Sequence, residues 1–299
     1  MSKFTLKILL FLVLFISLER FCHKKTHGFR LHKIFSDHIS SPRWDVGATC
    51  HDTAEIEKLL RQPYTFLASG GESYVFISDD RKTVLKFFKN HHMRERSWLD
   101  MIPTPTFLHP FTSYLRSSRK RKRDQFFTSC KIAYEQFASK TGLIHLQLNR
   151  ASHWNTKITI YDPIGIAHKI DPNILPFALQ KGATLAYPTL TSLMEIEEVD
   201  AAKLRLGSLV DLIAYRYEKG ISNHDPRKRN FGFIGADAIE LDLGSFSIDP
   251  KLQSSIERRR AFLLETRKLS HWVKKYHPEL SEFLDEKIQT VIDLESEIQ

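Results

Sequence analysis

Apolar and polar residues alternate through much of the first half of the chain and recur at helical spacing in the second. From Tyr64 to Phe88 the alternation predicts three short strands, Tyr64–Ala68, Tyr74–Ser78 and Thr83–Phe88. A Gly-Gly turn and an Asp79-Asp80 turn separate them. Strand-like runs return at Lys157–Tyr161, Gly165–Ile170 and Leu175–Leu179, and again at Phe231–Ile234 and Ala238–Leu241. Leu206, Leu209, Val210, Ile213 and Tyr217 fall on one helical face. They predict an amphipathic helix over Leu204–Lys219, stopped by Gly220. Helices are also expected at Thr53–Leu60, at Cys130–Lys140 before Gly142, and over 251–295 with a break at Pro278. Residues 90–128 carry Pro103, Pro105 and Pro110 and read as a long irregular insertion. A β-rich half followed by a helical half, with a polar loop at the junction, predicts an α+β fold of two lobes around a cleft.

The N-terminus follows a different rule. Lys3 and Lys7 precede an unbroken apolar run, Ile8–Leu18. The run has the length of a signal-peptide apolar region. As a helix it reaches about 16 Å, against a hydrocarbon core of about 30 Å, so a plain transmembrane span is not expected. No small-x-small cleavage site follows it, and more positive charge lies after it (Arg20, Lys24, Lys25, Arg30, Lys33) than before. That bias favours an uncleaved membrane-proximal anchor with the rest of the chain in the cytoplasm or on the membrane's cytoplasmic face. Export by a signal-like segment is the alternative. Four regions follow: an anchor or signal-like segment at 1–25, a linker and short helix at 26–60, a β-rich lobe at 61–180 containing the 90–128 insertion, and a helical lobe at 181–299.

Composition narrows the classes. A chain of 299 residues with 42% hydrophobic and 26% charged residues is that of a folded globular protein. The net charge of +9 favours an anionic partner. Cys22, Cys50 and Cys130 are too widely spaced for a disulfide framework or a zinc site. Six of the eight residues Arg116–Arg123 are basic, which suits an anionic membrane surface. Nucleic acid is disfavoured, because the run lacks interleaved aromatics.

The chemistry concentrates in two stretches. The first runs His224-Asp225-Pro226-Arg227-Lys228-Arg229-Asn230, and a short predicted hairpin then leads to Asp242-Leu243-Gly244. Phosphoryl transfer from ATP needs a carboxylate beside the acceptor hydroxyl and oxygen donors for the Mg²⁺ that bridges the phosphates. An Asp and an Asn five residues apart on one loop, with a second Asp at the end of the next hairpin, supply that set. The second stretch is Ala68-Ser69-Gly70-Gly71-Glu72-Ser73-Tyr74-Val75, flanked by strands, followed by Thr83-Val84-Leu85-Lys86. Small residues in such a turn let backbone N–H groups approach a phosphate closely. Lys86 alternates with apolar neighbours, which aims its ammonium at a cleft. Taken singly, a loop Asp is usually a turn or cap residue and a strand Lys usually snorkels at a core edge. Order and spacing decide here.

These residues resemble the protein-kinase-like superfamily. The stretch Gly220–Ile234 reads like its catalytic loop, Leu241–Gly244 like its metal-binding turn, Ala68–Val75 like a degenerate glycine-rich loop, and Thr83–Phe88 like its lysine strand. The resemblance covers roughly residues 64–246. It implies a bilobal kinase-like fold with a reduced helical C-lobe, ATP and Mg²⁺ as cofactors, and phosphorylation of a hydroxyl. By it, Asp225 is the catalytic base, Asn230 and Asp242 are metal ligands, and Lys86 holds phosphates beside Ala68, Gly70, Gly71, Ser73 and Val75. Lys86 is expected to pair with Glu135, or failing that with Glu95. Asn223 and His224 stand where typical protein kinases carry His or Tyr and then Arg. In this the loop is similar to small bacterial sugar, lipopolysaccharide-core and aminoglycoside kinases. The acceptor class implied is a small molecule, sugar or lipid-linked glycan. A protein Ser/Thr kinase and a nucleotide-binding pseudokinase are the alternatives.

Overall fold

The computed structural model describes residues 3–37, 40–47, 52–94 and 109–297. Its helices are α1 (Lys3–Lys25), α2 (Thr53–Arg61), α3 (His109–Glu135), α4 (Ala138–Thr141), α5 (Ala186–Glu195), α6 (Val199–Glu218), α7 (Ser255–Tyr276) and α8 (Ser281–Glu297). Its strands begin with β1 (Tyr64–Ser69), β2 (Ser73–Ser78), β3 (Thr83–Phe88), β4 (Leu143–Gln147), β5 (Ile158–Tyr161) and β6 (Ala167–Ile170). They continue with β7 (Phe177–Lys181), β8 (Thr184–Leu185), β9 (Ile221–Asn223), β10 (Phe231–Ile234), β11 (Asp237–Glu240) and β12 (Phe246–Ile248). The fold is α+β, and the chain divides into two compact units.

The first unit takes in 1–45, 49–121 and 147–179. Strands β1, β2, β3, β5 and β6 lie wholly in it, within a seven-stranded sheet ordered β4-β7-β3-β2-β1-β5-β6. β1, β2 and β3 form an antiparallel meander, and β5 joins β1 in parallel. Period-2 patterning decides which side of the meander is packed. Tyr74, Phe76, Leu85 and Phe87 are buried, whereas Val75, Ile77, Val84 and Lys86 face the half-exposed side. Phe76 meets Phe87 edge-on at 5.7 Å between centroids, one of the favoured aromatic geometries. The segment expected as a linker contributes to this core: Phe29, Ile34 and Trp44 are buried. Phe29 sits edge-on against both Tyr74 and Phe76. The Tyr74 hydroxyl donates to the Gly28 carbonyl at 2.8 Å. α2 is capped by Asp52, which accepts the Ala54 N–H, and it buries Ile56 and Leu60.

The second unit takes in 46–48, 122–146 and 180–299. α6 is its hub and packs on α5, α7, α8 and β11. It buries Leu206, Leu209, Val210, Ile213 and Tyr217, the apolar stripe read from the sequence. Gly220 lies just beyond it with φ +70°, the left-handed position that a side chain resists and a helix end often uses. β8, β10 and β11 form one small sheet, and β9 pairs with β12 in another.

α3 is the main departure from expectation. His109–Glu135 is one continuous helix where an irregular stretch was expected up to residue 128. Pro110 lies in its first turn, where a missing N–H costs no helical bond. The Arg- and Lys-rich middle has good helix propensity but no apolar period to announce it. Its packed face, with Phe126, Phe127, Cys130 and Ala133 buried, emerges only towards the C-terminus.

Candidate functional site

Two strand pairs position the Asp225 loop in the second unit. In the first, β10 and β11 set Phe231 opposite Glu240, and the Leu241 N–H donates to the Asn230 carbonyl at 2.7 Å. In the second, β9 and β12 set Asn223 opposite Phe246, and the His224 N–H donates to the Ser245 carbonyl at 2.9 Å. The 224–230 loop is thus stitched at both ends to the 241–245 turn, and the backbone brings Asp225, Asn230 and Asp242 into one neighbourhood.

Within the loop, Asn230 is buried and its side-chain amide donates to the Asp225 carbonyl at 2.8 Å. That bond uses the nitrogen and leaves the side-chain oxygen as the available donor atom. Asp242 accepts the Gly244 N–H with one carboxylate oxygen at 3.2 Å, the hydrogen bond of an Asx turn. Its other oxygen is uncommitted in that turn. A side-chain carbonyl and a carboxylate oxygen are the hard donors Mg²⁺ prefers, alongside water and phosphate. Among the described residues, no group of three or more His, Cys, Asp or Glu could hold a metal ion by itself. Asp225 is half-buried, and one of its carboxylate oxygens pairs with Arg227 at 2.5 Å.

Several groups that support this loop were not read from the sequence. Asn223 accepts the Asp225 N–H with its side-chain oxygen at 2.8 Å and donates its amide to Glu240. Glu240 is fully buried and bonded to Arg216, itself fully buried on α6. Arg216 also pairs with Glu265 of α7, which accepts the Tyr217 hydroxyl at 2.7 Å. Burial first, and then the repulsion of Glu265, push the Glu240 carboxyl up to about 7, against the pull of Arg216. One guanidinium shared between two carboxylates leaves an excess negative charge, which burial penalises. On the other side of the site, Ser129 of α3 bridges the turn. Its hydroxyl donates to the Leu243 carbonyl at 2.7 Å and accepts the Phe246 N–H at 2.7 Å. Lys228 leaves the loop for an aromatic cluster, 5.3 Å from the Tyr187 ring, 5.6 Å from Trp272 and 6.0 Å from Tyr276. That contact anchors the loop by cation–π attraction.

The glycine-turn residues lie in the first unit. Ala68 pairs with Val75 across β1 and β2, and Val75 pairs with Lys86 across β2 and β3. Side chains directly opposite in adjacent strands share a face, so Ala68, Val75 and Lys86 form one row. A bulge at Leu67 sets this register. At the turn, the Gly70 N–H donates to the Ser73 carbonyl at 2.9 Å, and Gly71 is exposed. Lys89, which sequence reasoning passed over, donates its ammonium to Ser69 Oγ at 2.9 Å and to the Gly70 carbonyl at 2.5 Å. Glu135 ends α3 with its side chain 41% exposed and pairs with Lys131 at 3.5 Å. Glu95 lies outside the described residues, as does Cys50.

An open groove of about 470 Å³ runs along α5, lined by Thr184, Leu185, Pro188, Thr189, Ser192, Leu193 and Ile196. None of these is a residue the sequence predicted for the site.

No protein-family model matches the chain, and no curated protein matches it. Among solved structures it is similar to the bifunctional kinase-methyltransferase WbdD, at 13% identity and a TM-score of 0.36. That match covers 76% of this chain and 43% of the other, so the chain spans less than half the length of that protein.

Proposed function

We infer that the protein is a phosphotransferase that uses Mg-ATP to phosphorylate a hydroxyl on a small molecule, sugar or lipid-linked glycan. The observation that carries this reading is the double stitching of the His224–Asn230 loop to the Asp242 turn. It gathers one carboxylate for the acceptor and two oxygen donors for a metal, the set that phosphoryl transfer requires. Asp225 is the group that orients the acceptor hydroxyl and takes its proton. Arg227, paired with it here, releases it when an acceptor enters. Asn230 and Asp242 hold Mg²⁺, which offsets the charge on the transferred phosphate. Lys86 and the Ala68–Val75 turn bind the nucleotide.

The test is γ-phosphate transfer from labelled ATP, with Mg²⁺, to water and to fractionated cell extract. Asp225→Asn should lower turnover by a factor on the order of 10² while leaving Mg-ATP affinity unchanged. Asp242→Asn should abolish the magnesium-dependent rise in melting temperature that a native-state ligand gives. Turnover equal to wild type in Asp225→Asn would overturn the assignment.

A second reading, nucleotide binding without turnover, draws on Lys89. Its ammonium spans the glycine turn, where phosphate oxygens would otherwise meet backbone N–H groups. Mg-ATP stabilisation without transfer to any fraction would favour it.

A further inference from the structure

Two exposed surfaces of the first unit take no part in the phosphotransfer reading. Every large apolar residue from Ile8 to Leu18 on α1 is between 45% and 68% exposed. A contiguous apolar surface of this kind marks an interaction site rather than ordinary protein surface. No described helix is long and apolar enough to cross a membrane. The apolar run spans about 16 Å, close to half of a hydrocarbon core of about 30 Å. It is apolar on every face, so pairing along one seam with a second copy would leave most of it in water. Lys3, Lys7, Arg20, Lys24 and Lys25 lie on the same helix against a single acid, Glu19.

The basic run lies on a helix, which changes what it presents. On α3, Phe111 and Tyr114 are one turn apart and are 58% and 62% exposed. Arg121 is exposed two turns below Tyr114 on the same face, while Arg116 and Lys120 are exposed on the opposite side of the helix. Exposed aromatics beside basic side chains are the chemistry of a membrane–water interface.

The connection between α1 and the rest of the unit is short. α1 ends at Lys25, and Phe29 is already buried against Tyr74 and Phe76. The Gly28 carbonyl accepts both the Tyr74 hydroxyl and the Lys33 ammonium. A surface that holds α1 therefore holds the sheet close to it.

We propose that this protein docks on an anionic phospholipid bilayer, with α1 entering one leaflet and the Phe111–Arg121 face of α3 meeting the headgroups. Apolar burial supplies the grip, and the basic residues supply the preference for negative charge. Two weak anchors on one body bind far more tightly than either alone.

The experiment is flotation of the full chain with phosphatidylcholine vesicles, neutral or containing about one-third phosphatidylglycerol. The wild type should partition more strongly to the anionic vesicles, and the preference should shrink as salt rises. Replacing Arg121 by Ser should lower anionic binding by roughly fivefold, and replacing Arg116 and Lys120 on the opposite side should lower it less. Leu10→Asp with Leu14→Asp should abolish flotation on both vesicles, with an unchanged melting temperature showing an intact fold. Equal partition of the wild type to both vesicles would overturn the electrostatic element. Retained flotation of the Leu10/Leu14 variant would overturn leaflet entry. A dimer in light scattering that α1 substitutions dissolve, with no flotation, would replace the bilayer by a second copy of the chain.

Discussion

The side chain of Asn223 accepts the Asp225 backbone N–H at 2.8 Å while donating its own amide to Glu240. One buried amide thus links the proposed catalytic loop to a carboxylate that Arg216 holds in the core. The loop here rests on a side-chain amide.

Asn223→Ala should therefore damage catalysis more than nucleotide binding. Removing the amide leaves a Glu240 oxygen and the Asp225 N–H without their partner, a cost of about 1–3 kcal/mol in stability for a buried group. Small displacements of a reacting group lower rates steeply. Turnover should fall by roughly tenfold or more with an unchanged KM for ATP, and a melting curve should show a lower Tm. Loss of ATP affinity in step with turnover would mean that Asn223 supports the unit as a whole.

Glu240 gives the fold a pH dependence with a definite sign. Its carboxyl is raised from 4.5 to about 7, first by burial and then by Glu265. Between those values the native state holds a proton that the unfolded chain has released. The stability this contributes is complete below about 4.5 and is lost as pH rises through about 7. Glu240→Gln stays neutral throughout and retains an acceptor for Arg216. The melting temperature of the wild type should fall relative to this variant as pH rises across the window, then run parallel above it. Parallel curves across the whole window would show that Arg216 keeps Glu240 ionised in the native state.

The strands were more legible in the sequence than the contacts that hold the loops between them. The β1–β3 meander and α6 declare themselves by period, because each buries one face and leaves the other in water. The 224–230 loop and the 241–245 turn are legible because their side-chain chemistry lies within short spans. α3 is not, since its middle pairs no apolar period with its helix propensity, and the three prolines argued for a loop. Arg216, Glu240 and Glu265 escape for another reason. They lie on three separate elements, and a charged residue within an amphipathic helix or hairpin reads as solvent-facing until the fold buries it. The linker expected at 26–60 failed to reveal Phe29 and Ile34 as core because single aromatics and aliphatics among basic residues carry no period.

Gly232 marks a place where the second unit has no room for a side chain. A β-carbon there would stand 2.8 Å from the Thr184 carbonyl oxygen and 3.1 Å from Leu241 Cδ2. The first of these is backbone, so β8 or β10 would have to shift to relieve it. Gly232 pairs with Leu185 on one side and Ile239 on the other, and β10 follows Asn230 directly. Gly232→Ala should destabilise the protein by about 1–3 kcal/mol, in the range of core overpacking, measured by denaturant unfolding. Gly235, at the exposed β10–β11 turn with φ +64° and open space around its Cα, offers the contrast. Gly235→Asn should be tolerated, because Asn accepts the left-handed region. Equal losses at both positions would show that strand backbone freedom, rather than the close approach of β8, decides the first.

Ser129 supplies the last prediction. It is a buried hydroxyl on α3 that donates to the Leu243 carbonyl and accepts the Phe246 N–H, each at 2.7 Å. Both bonds fall just after Asp242, at Leu243 and Phe246, so one side chain fixes the backbone of the turn on the C-terminal side of the proposed metal ligand. Ser129→Ala strands a buried carbonyl and a buried N–H, and should cost about 1–3 kcal/mol. Its functional effect should be separable from this loss. If the turn presents Asp242 to Mg²⁺, the variant should need more magnesium for half-maximal nucleotide stabilisation while keeping its metal-free nucleotide affinity. Ser129→Thr keeps the hydroxyl and should restore the magnesium dependence, even where its added methyl lowers the melting temperature. A variant that loses stability but titrates with magnesium like the wild type would limit Ser129 to holding α3 against the turn.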